Sequence, residues 1–471
     1  MAGTEIDYKI AILDLSYLVA SILFIIGLKM LSKPSSARKG NLWAASGMIF
    51  AIITTLLFHK DGSGHTIPVA NAILVLVIIA ASTVIGSVIA RRVKMTSMPQ
   101  MVSLFNATGG AASSIIALTE YSDPSNTRIL VTVLGMVVGN ISFIGSLIAY
   151  GKLDGKISDW YNRMMKYINL FIVLLIVLVI FYVVIAQPAD QARNTLVYSL
   201  FAISLIYGVF LVMPIGGADM PVVISLLNSF TGIAVAMAGF IYSNQAMILG
   251  GILVGATGTI LTIIMCKAMN RSLLNVIVGA FGANVTGSSH QVQGAIKEIS
   301  YSDTAVLLRF SQKVVIIPGY GLAAAQAQHL CSELDHLLTD RDVSVLYAIH
   351  PVAGRMPGHM NVLLAEANVP YEKLIEMDQI NPDMPNVDVV LVIGANDVVN
   401  PAAMDDPSSP IYGMPIIRAH EAKNIIVVKR GMGKGYAAIE NNLFFNDKTR
   451  MLFGNAKDVL QKLIAELKAM E

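Results

Sequence analysis

The chain is short of charge. Only 14% of its 471 residues are Asp, Glu, Lys or Arg, against roughly 25% in an average soluble domain. It has two cysteines, Cys266 and Cys331, far apart in the sequence. Neither a disulfide framework nor a CxxC metal pair can form from them, and no metal centre is expected. Each reads as a small apolar filler in a reducing compartment. A basic excess is missing as well, the formal net charge being +2. Binding to a phosphate backbone needs such an excess, so no nucleic-acid partner is expected. The N-terminus has no basic leader, and Glu5 and Asp7 precede the first apolar run. With no small-residue cleavage site after it, that run reads as a retained membrane helix.

Apolar residues fill the space that charge leaves: 55% of the chain is hydrophobic and the mean hydropathy is +0.65. The scarcity of charge is uneven. Residues 1–271 hold 17 Lys/Arg and 10 Asp/Glu, a balance of +7, whereas residues 272–471 hold 16 and 21, a balance of −5. The two parts are made for different solvents.

A spanning helix needs about 20 mostly apolar residues. Nine runs qualify: 10–30, 41–58, 67–90, 98–118, 127–150, 167–187, 194–213, 219–241 and 246–267. The clearest contains the unbroken stretch Leu170–Ala186, and the weakest, 98–118, carries Asn106, Thr108, Ser113 and Ser114. Loop charge sets the orientation, because cytoplasmic loops collect Lys and Arg. Alternate loops carry thirteen basic residues, among them Lys29, Arg91, Lys152, Arg163, Lys267 and Arg271. The other side has four: Lys9, Lys60, Arg128 and Arg193. This places the N-terminus outside and the C-terminal part in the cytoplasm.

The interior of the runs is neutral. All eight histidines, at 59, 65, 290, 329, 336, 350, 359 and 420, fall outside them. Asp14 sits near the outer end of the first run and Asp219 at the inner mouth of the eighth. The polar residues at depth are Asn106, Asn140, Ser146, Asn228 and Ser229. Such groups either join helices, at about 1 kcal/mol each, or line a watery path. Asn106 and Asn228 both lie about 12–14 Å inside the cytoplasmic edge at 1.5 Å rise per residue. Gly135/Gly139 and Gly251/Gly255, each pair four apart, suit close helix packing.

After Arg271 the pattern loosens. The stretch Gly279 to Ser289 is rich in Gly and Ser and reads as a connection. From about residue 305, short apolar strands alternate with helices: Lys313–Ile317, Ser344–Ile349, Val387–Ile393 and Asn424–Lys429, closed by an amphipathic helix at Lys457–Ala469. The expected architecture is a multi-pass α-helical membrane domain (1–271), a linker (272–304) and an α/β Rossmann-like domain with a doubly wound parallel sheet (305–471).

Gly319-Tyr320-Gly321-x-x-Ala324 follows the first strand and opens a helix, where a dinucleotide fingerprint belongs. A merely tight strand–helix turn is the plainer alternative. NAD sites place an acid at the end of the second strand, but here His350-Pro-Val-Ala-Gly-Arg355 follows it. Lys429-Arg430 ends a later strand and suits a dianionic phosphate, which favours NADP(H). Tyr436, among Gly431, Gly433 and Gly435, reads as a mobile flap.

Longer motifs carry a resemblance. PGYGLAAAQAQ (318–328), HPVAGRMPGHMNVLLAEANVPYE (350–372), VLVIGANDVVNPAA (390–403) and KRGMGKGYA (429–437) resemble the NADP-binding domain of the proton-translocating nicotinamide nucleotide transhydrogenases. GGADMPVVISLLNS (216–229) and MCKAMNRS (265–272) are similar to their membrane domain, and the likeness spans the beta subunit. The resemblance implies direct hydride transfer between NAD(H), held by an alpha subunit that adds membrane helices, and NADP(H) held by this chain. Proton translocation across a bacterial inner membrane, in a dimer of alpha–beta units, is part of the same implication. NADP(H) lies flipped in this family. Gly319, Tyr320, Gly321, Ala324, Gly394, Asn396 and Gly435 would line it, Arg355 would meet phosphate, and Lys429 and Arg430 the 2′-phosphate. Asp397 would belong to the coupling loop and Tyr436 to a lid. One departure stands out. Some relatives carry a membrane histidine where this chain has Asn106, and an amide does not take up a proton near neutral pH. The proton-carrying group is then expected on the partner, with Asn106, Asn228 and Ser146 lining the path and Asp219 at its mouth. A channel with a regulatory nucleotide domain, or a tethered NADP-dependent dehydrogenase, would be the rival functions. The first would need a selectivity element, the second room for a substrate domain.

Overall fold

The computed structural model describes residues 8–470 except 33, 60–65, 122–125, 159, 161, 163, 217–218, 271, 274–294, 357, 410, 434, 436 and 438. The chain forms two compact units, the first taking in Met1–Tyr150, Tyr167–Val212 and Ser225–Ile260, the second Gly151–Lys166, Met213–Ile224 and Leu261–Glu471.

Among the described residues nine helices are long and apolar enough to cross a bilayer. They are α1 (Tyr8–Leu31), α2 (Pro34–Phe58), α3 (Val69–Arg92), α4 (Met98–Glu120), α5 (Asn126–Leu153), α6 (Met165–Ile185), α7 (Asp190–Val212), α8 (Met220–Ile241) and α9 (Gln245–Ala268). The chain is a multi-pass membrane protein. Hydrocarbon offers the backbone no partner, so each apolar run closes its own hydrogen bonds as helix. Two helices, α2 and α7, start well before their apolar runs. Pro34 suits the first position of α2. Asp190 favours the start of α7 and pairs with Arg193 at 2.9 Å. Counting apolar residues sees only the part of a helix that lies in hydrocarbon.

Small residues and neutral polar groups join these helices. A Cβ on Gly139 would stand 2.8 Å from the Gly110 carbonyl oxygen, so α4 and α5 meet backbone to backbone. Asn140 is the hub of a buried trio. Its amide oxygen accepts from Ser114 Oγ at 2.6 Å and its Nδ2 donates to Ser204 Oγ at 2.9 Å, tying α4, α5 and α7 together. Thr231 Oγ1 of α8 donates to the Asn106 carbonyl at 3.2 Å and lies 2.6 Å from Ser142 Oγ of α5. Ser229 Oγ lies 2.7 Å from Thr259 Oγ1 of α9. In contrast, α3 buries none of its residues.

The second unit holds a six-stranded sheet of order β3-β2-β1-β4-β5-β6. The strands are β1 (Lys313–Pro318), β2 (Ser344–Ile349), β3 (Leu374–Glu376), β4 (Val389–Ile393), β5 (Asn424–Lys429) and β6 (Thr449–Phe453), and every neighbouring pair is parallel. β4 is buried at all five positions, as a parallel sheet covered on both faces requires. The closing helix Ala456–Ala469 buries Val459, Leu460, Leu463, Ile464 and Leu467 on one stripe. Burial of each such side chain is worth about 1.5–3 kcal/mol. Its first turn is capped by Asn455, which accepts from the Lys457 amide. Cys331 is fully buried, and its thiol is pushed up to about 12 by that burial, so it is a filler rather than a nucleophile. Residues 297–299, inside the expected linker 272–304, lie beside β6: Met451 N–H donates to the Lys297 carbonyl and Ile299 N–H to that of Met451. This strand order puts β1 next to β4 where the winding reverses, and the crevice that binds ligands in such sheets opens there.

Candidate nucleotide site

The turn after β1 and the turn after β4 cross in contact. Gly319 N–H donates to the Ile393 carbonyl at 2.9 Å and Gly321 N–H to that of Gly394 at 3.0 Å. A Cβ on Gly319 would stand 2.3 Å from the Gly394 oxygen, and one on Gly321 would stand 2.6 Å from Gly394 Cα. Gly394 itself has φ +67°, a left-handed conformation that favours glycine. The fingerprint glycines therefore let two strand ends touch. The amides of Gly319 and Gly321 serve this crossing, whereas the motif alone suggested that they face a pyrophosphate.

A cavity of about 690 Å³ opens at the crossing. Eleven of the twelve expected cofactor residues line it: Gly319, Tyr320, Gly321, Ala324, Arg355, Gly394, Asn396, Asp397, Lys429, Arg430 and Gly435. The twelfth, Tyr436, lies outside the described residues. Val352–Gly354 also face the cavity, and so do Gly454, Asn455 and Ala456 at the end of β6. The volume is within the ordinary range for small-molecule and cofactor sites.

Charge is divided between two sides of the crevice. Arg355 stacks on the Tyr320 ring, its guanidinium carbon 4.3 Å from the centroid. Opposite, Lys429 ends β5 with its ammonium 4.6 Å above the Phe444 ring and donating to the Gly433 carbonyl. Burial lowers the pKa of Lys429, while the Asp397 charge acts the other way. Arg430 beside it is exposed. Asp397 Oδ2 accepts the Ala437 amide at 3.0 Å. Two buried amides strengthen the same junction. Asn441 Nδ2 donates to the Asn396 carbonyl at 2.9 Å, and Asn400 Nδ2 to that of Glu440 at 3.0 Å. Ala437, Glu440 and Asn441 are thus held onto the loop that carries Asp397. Asn400 stands in the 390–403 motif without being singled out there, and Asn441 lies outside every motif; burial and partners mark both.

Two buried histidines shape the opposite wall. His350 donates from Nε2 to the Pro415 carbonyl at 2.8 Å and accepts the Val352 amide on Nδ1 at 3.2 Å. His359 accepts the Arg355 amide on Nδ1 at 3.1 Å. Burial holds both pKa values down to about 4, helped at His359 by the Arg355 charge. Both imidazoles are neutral when folded but take up protons near 6.5 when unfolded. Stability is therefore complete above pH 6.5 and falls as pH drops from 6.5 to 4, by up to about 3 kcal/mol for each histidine. The apparent melting temperature of the second unit, followed in the detergent-solubilised chain, should fall across that window; a flat profile would contradict the burial of both rings.

Of the expected membrane residues, Asn106 and Ser146 are buried, Asn228 is half-buried and Asp219 is buried just before α8. Ser142–Thr231 joins α5 to α8 beside Asn106. Among the described residues no group of His, Cys, Asp and Glu is placed to hold a metal ion.

Nine membrane-length helices among the described residues, and a Rossmann-like sheet with cations on both sides of its crevice, define a membrane-embedded protein with a nucleotide-type α/β domain. The family profile described as NAD(P) transhydrogenase beta subunit matches residues 13–466. The chain is 46% identical over 465 residues to NAD(P) transhydrogenase subunit beta of Rhodospirillum rubrum, covering 95% of this chain and 97% of that one. The same figures hold for the protein of that name from R. rubrum strain ATCC 11170. The chain belongs to the NAD(P) transhydrogenase beta-subunit family, an enzyme family.

Proposed function

We propose that this chain holds NADP(H) in the crevice, exchanges hydride with NAD(H) on an alpha subunit, and couples the exchange to proton movement through its membrane helices. The observation that carries this reading is the Lys429–Arg430 pair at the end of β5, with a buried neutral His350 where an NAD site would have an acid. A 2′-phosphate at β5 puts the adenosine end on the β4–β5 side, the reverse of the usual orientation over β1–β2. The nicotinamide supplies the hydride chemistry. The protein's part is to bind, orient and exclude water. Arg355 takes phosphate, the Gly319/Gly394 crossing leaves room for the dinucleotide backbone, and Asp397 links the crevice to the segment carrying Tyr436.

In the membrane, Asn106, Asn228 and Ser146 line a path with Asp219 at its cytoplasmic mouth, and a titratable group on the partner carries the proton. The domain limits 1–271, 272–304 and 305–471, an outward N-terminus, a cytoplasmic nucleotide domain, a bacterial inner membrane and a dimer of alpha–beta units complete the reading. The thirteen-to-four division of basic loop residues supports the orientation.

The test is reconstitution into liposomes with and without an alpha subunit. Hydride transfer from NADPH to an NAD⁺ analogue and a pH gradient should appear together, and only with both subunits. A chain that bound NADPH and moved another ion with no NAD(H)-binding partner would overturn the proposal.

A further inference from the structure

We infer that His359 is a positioning residue for the nucleotide site, its Nδ1 fixing the Arg355 amide and its ring backing Tyr320, so that the Arg355–Tyr320 pair is set in place before ligand arrives. This rests on the crevice being the NADP(H) site.

The geometry is specific. His359 is 1% exposed and begins the helix His359–Glu366 behind the cavity wall. Its ring centroid lies 6.4 Å from that of Tyr320, and the Tyr320 ring carries the Arg355 guanidinium at 4.3 Å. One imidazole thus contacts the backbone of Arg355 and the aromatic platform of its side chain. Gly354, immediately before Arg355, has φ +105°, and a Cβ there would meet His359 Nδ1 at 2.5 Å. The loop folds tightly over the ring, leaving no room for a water between His359 and the Arg355 amide. The remaining ring nitrogen, Nε2, is buried with no hydrogen-bond partner among the described residues. A histidine kept for packing alone would gain nothing over leucine and would bear the cost of that orphan N–H. The Nδ1 acceptor is what an apolar side chain cannot supply. A neutral ring also accepts at Nδ1 throughout the physiological range, consistent with the depressed pKa.

The experiment compares His359→Asn, His359→Gln and His359→Leu in the full chain assembled with an alpha subunit. Asn puts its side-chain oxygen near the place of Nδ1, whereas Gln reaches toward Nε2. Loss of the acceptor should raise the KM for NADPH about tenfold in H359L and H359Q, with kcat at saturation changed by less than about twofold. H359N should stay within about threefold of the parent. The ratio of NADPH to NADH affinity should be the same in all four proteins, because Lys429 and Arg430 set it. Equal damage in H359N and H359L, or a collapsed nucleotide ratio, would mean that the residue only supports folding and would overturn the inference. Unchanged KM in H359L would do so too. Failure of the parent protein to bind NADPH would instead remove the site assignment itself, so the two failures are distinct.

Discussion

Replacing Lys429 and Arg430 together by alanine should weaken NADPH binding by about 10²–10³-fold and NADH binding by less than about threefold. A charge-assisted hydrogen bond contributes roughly 1.5–3 kcal/mol, and two act on one dianionic phosphate that NADH does not have. Lys429 is well suited to the task. Its pKa is already lowered by burial, and an arriving phosphate offers the counter-charge that the Gly433 carbonyl cannot. Its position over Phe444 further fixes where the ammonium points. Calorimetric titration of the detergent-solubilised chain with each nucleotide checks the expectation. Equal losses for both nucleotides would remove the 2′-phosphate assignment and, with it, the reversed orientation of the dinucleotide.

Gly319→Ala should abolish measurable NADPH binding and lower the apparent melting temperature of the second unit by several degrees. Gly319 has an ordinary extended φ of −129°, so the backbone conformation is no obstacle to alanine. The obstacle is the other loop. The added Cβ would meet the Gly394 oxygen at 2.3 Å and Ala395 Cα at 2.5 Å, backbone atoms that cannot swing aside. Prising the turns apart breaks the Gly319–Ile393 and Gly321–Gly394 hydrogen bonds and removes the floor of the cavity. The expected cost is about 3 kcal/mol or more, the upper range for overpacking with broken hydrogen bonds. Gly433→Ala is the control, since nothing lies within 4 Å of a Cβ there; its stability should move by less than about 0.5 kcal/mol. A Gly319→Ala protein that bound NADPH like the parent would show that the crossing tolerates separation.

Four of the six strands were legible as apolar runs because β1, β2, β4 and β5 lie in the middle of a sheet covered on both faces. The two edge strands were not. β3 is three residues long and leaves Glu376 exposed, and β6 mixes Thr449 and Arg450 with its apolar residues. An edge strand needs less burial and so writes a weaker pattern. Missing β6 also hid Gly454–Ala456 as part of the cavity wall. The doubly wound parallel sheet, read from the alternation of strands and helices, was enough to bring the Gly319 turn, the Gly394 turn and Lys429 to one crevice. Side-chain partnerships were less accessible. Asn140 was visible as a polar residue at depth, but its choice of Ser114 and Ser204 depends on which helix faces meet. His350 and His359 stood in a recognisable motif, yet their neutrality and their hold on the loop follow only from burial.

α3 offers a different consequence, for assembly. A helix that buries none of its 24 residues within its own chain gains little from intramolecular packing. Its place is secured chiefly by transfer into hydrocarbon, at about −0.3 to −0.6 kcal/mol for each central Val, Ile or Leu. In the two stages of membrane-protein folding, insertion and then helix association, α3 completes the first by itself and takes little part in the second among the described residues. Its insertion is thus independent of the Asn140 trio and the glycine contacts that order its neighbours, and mutations that loosen those joints should leave α3 in the bilayer.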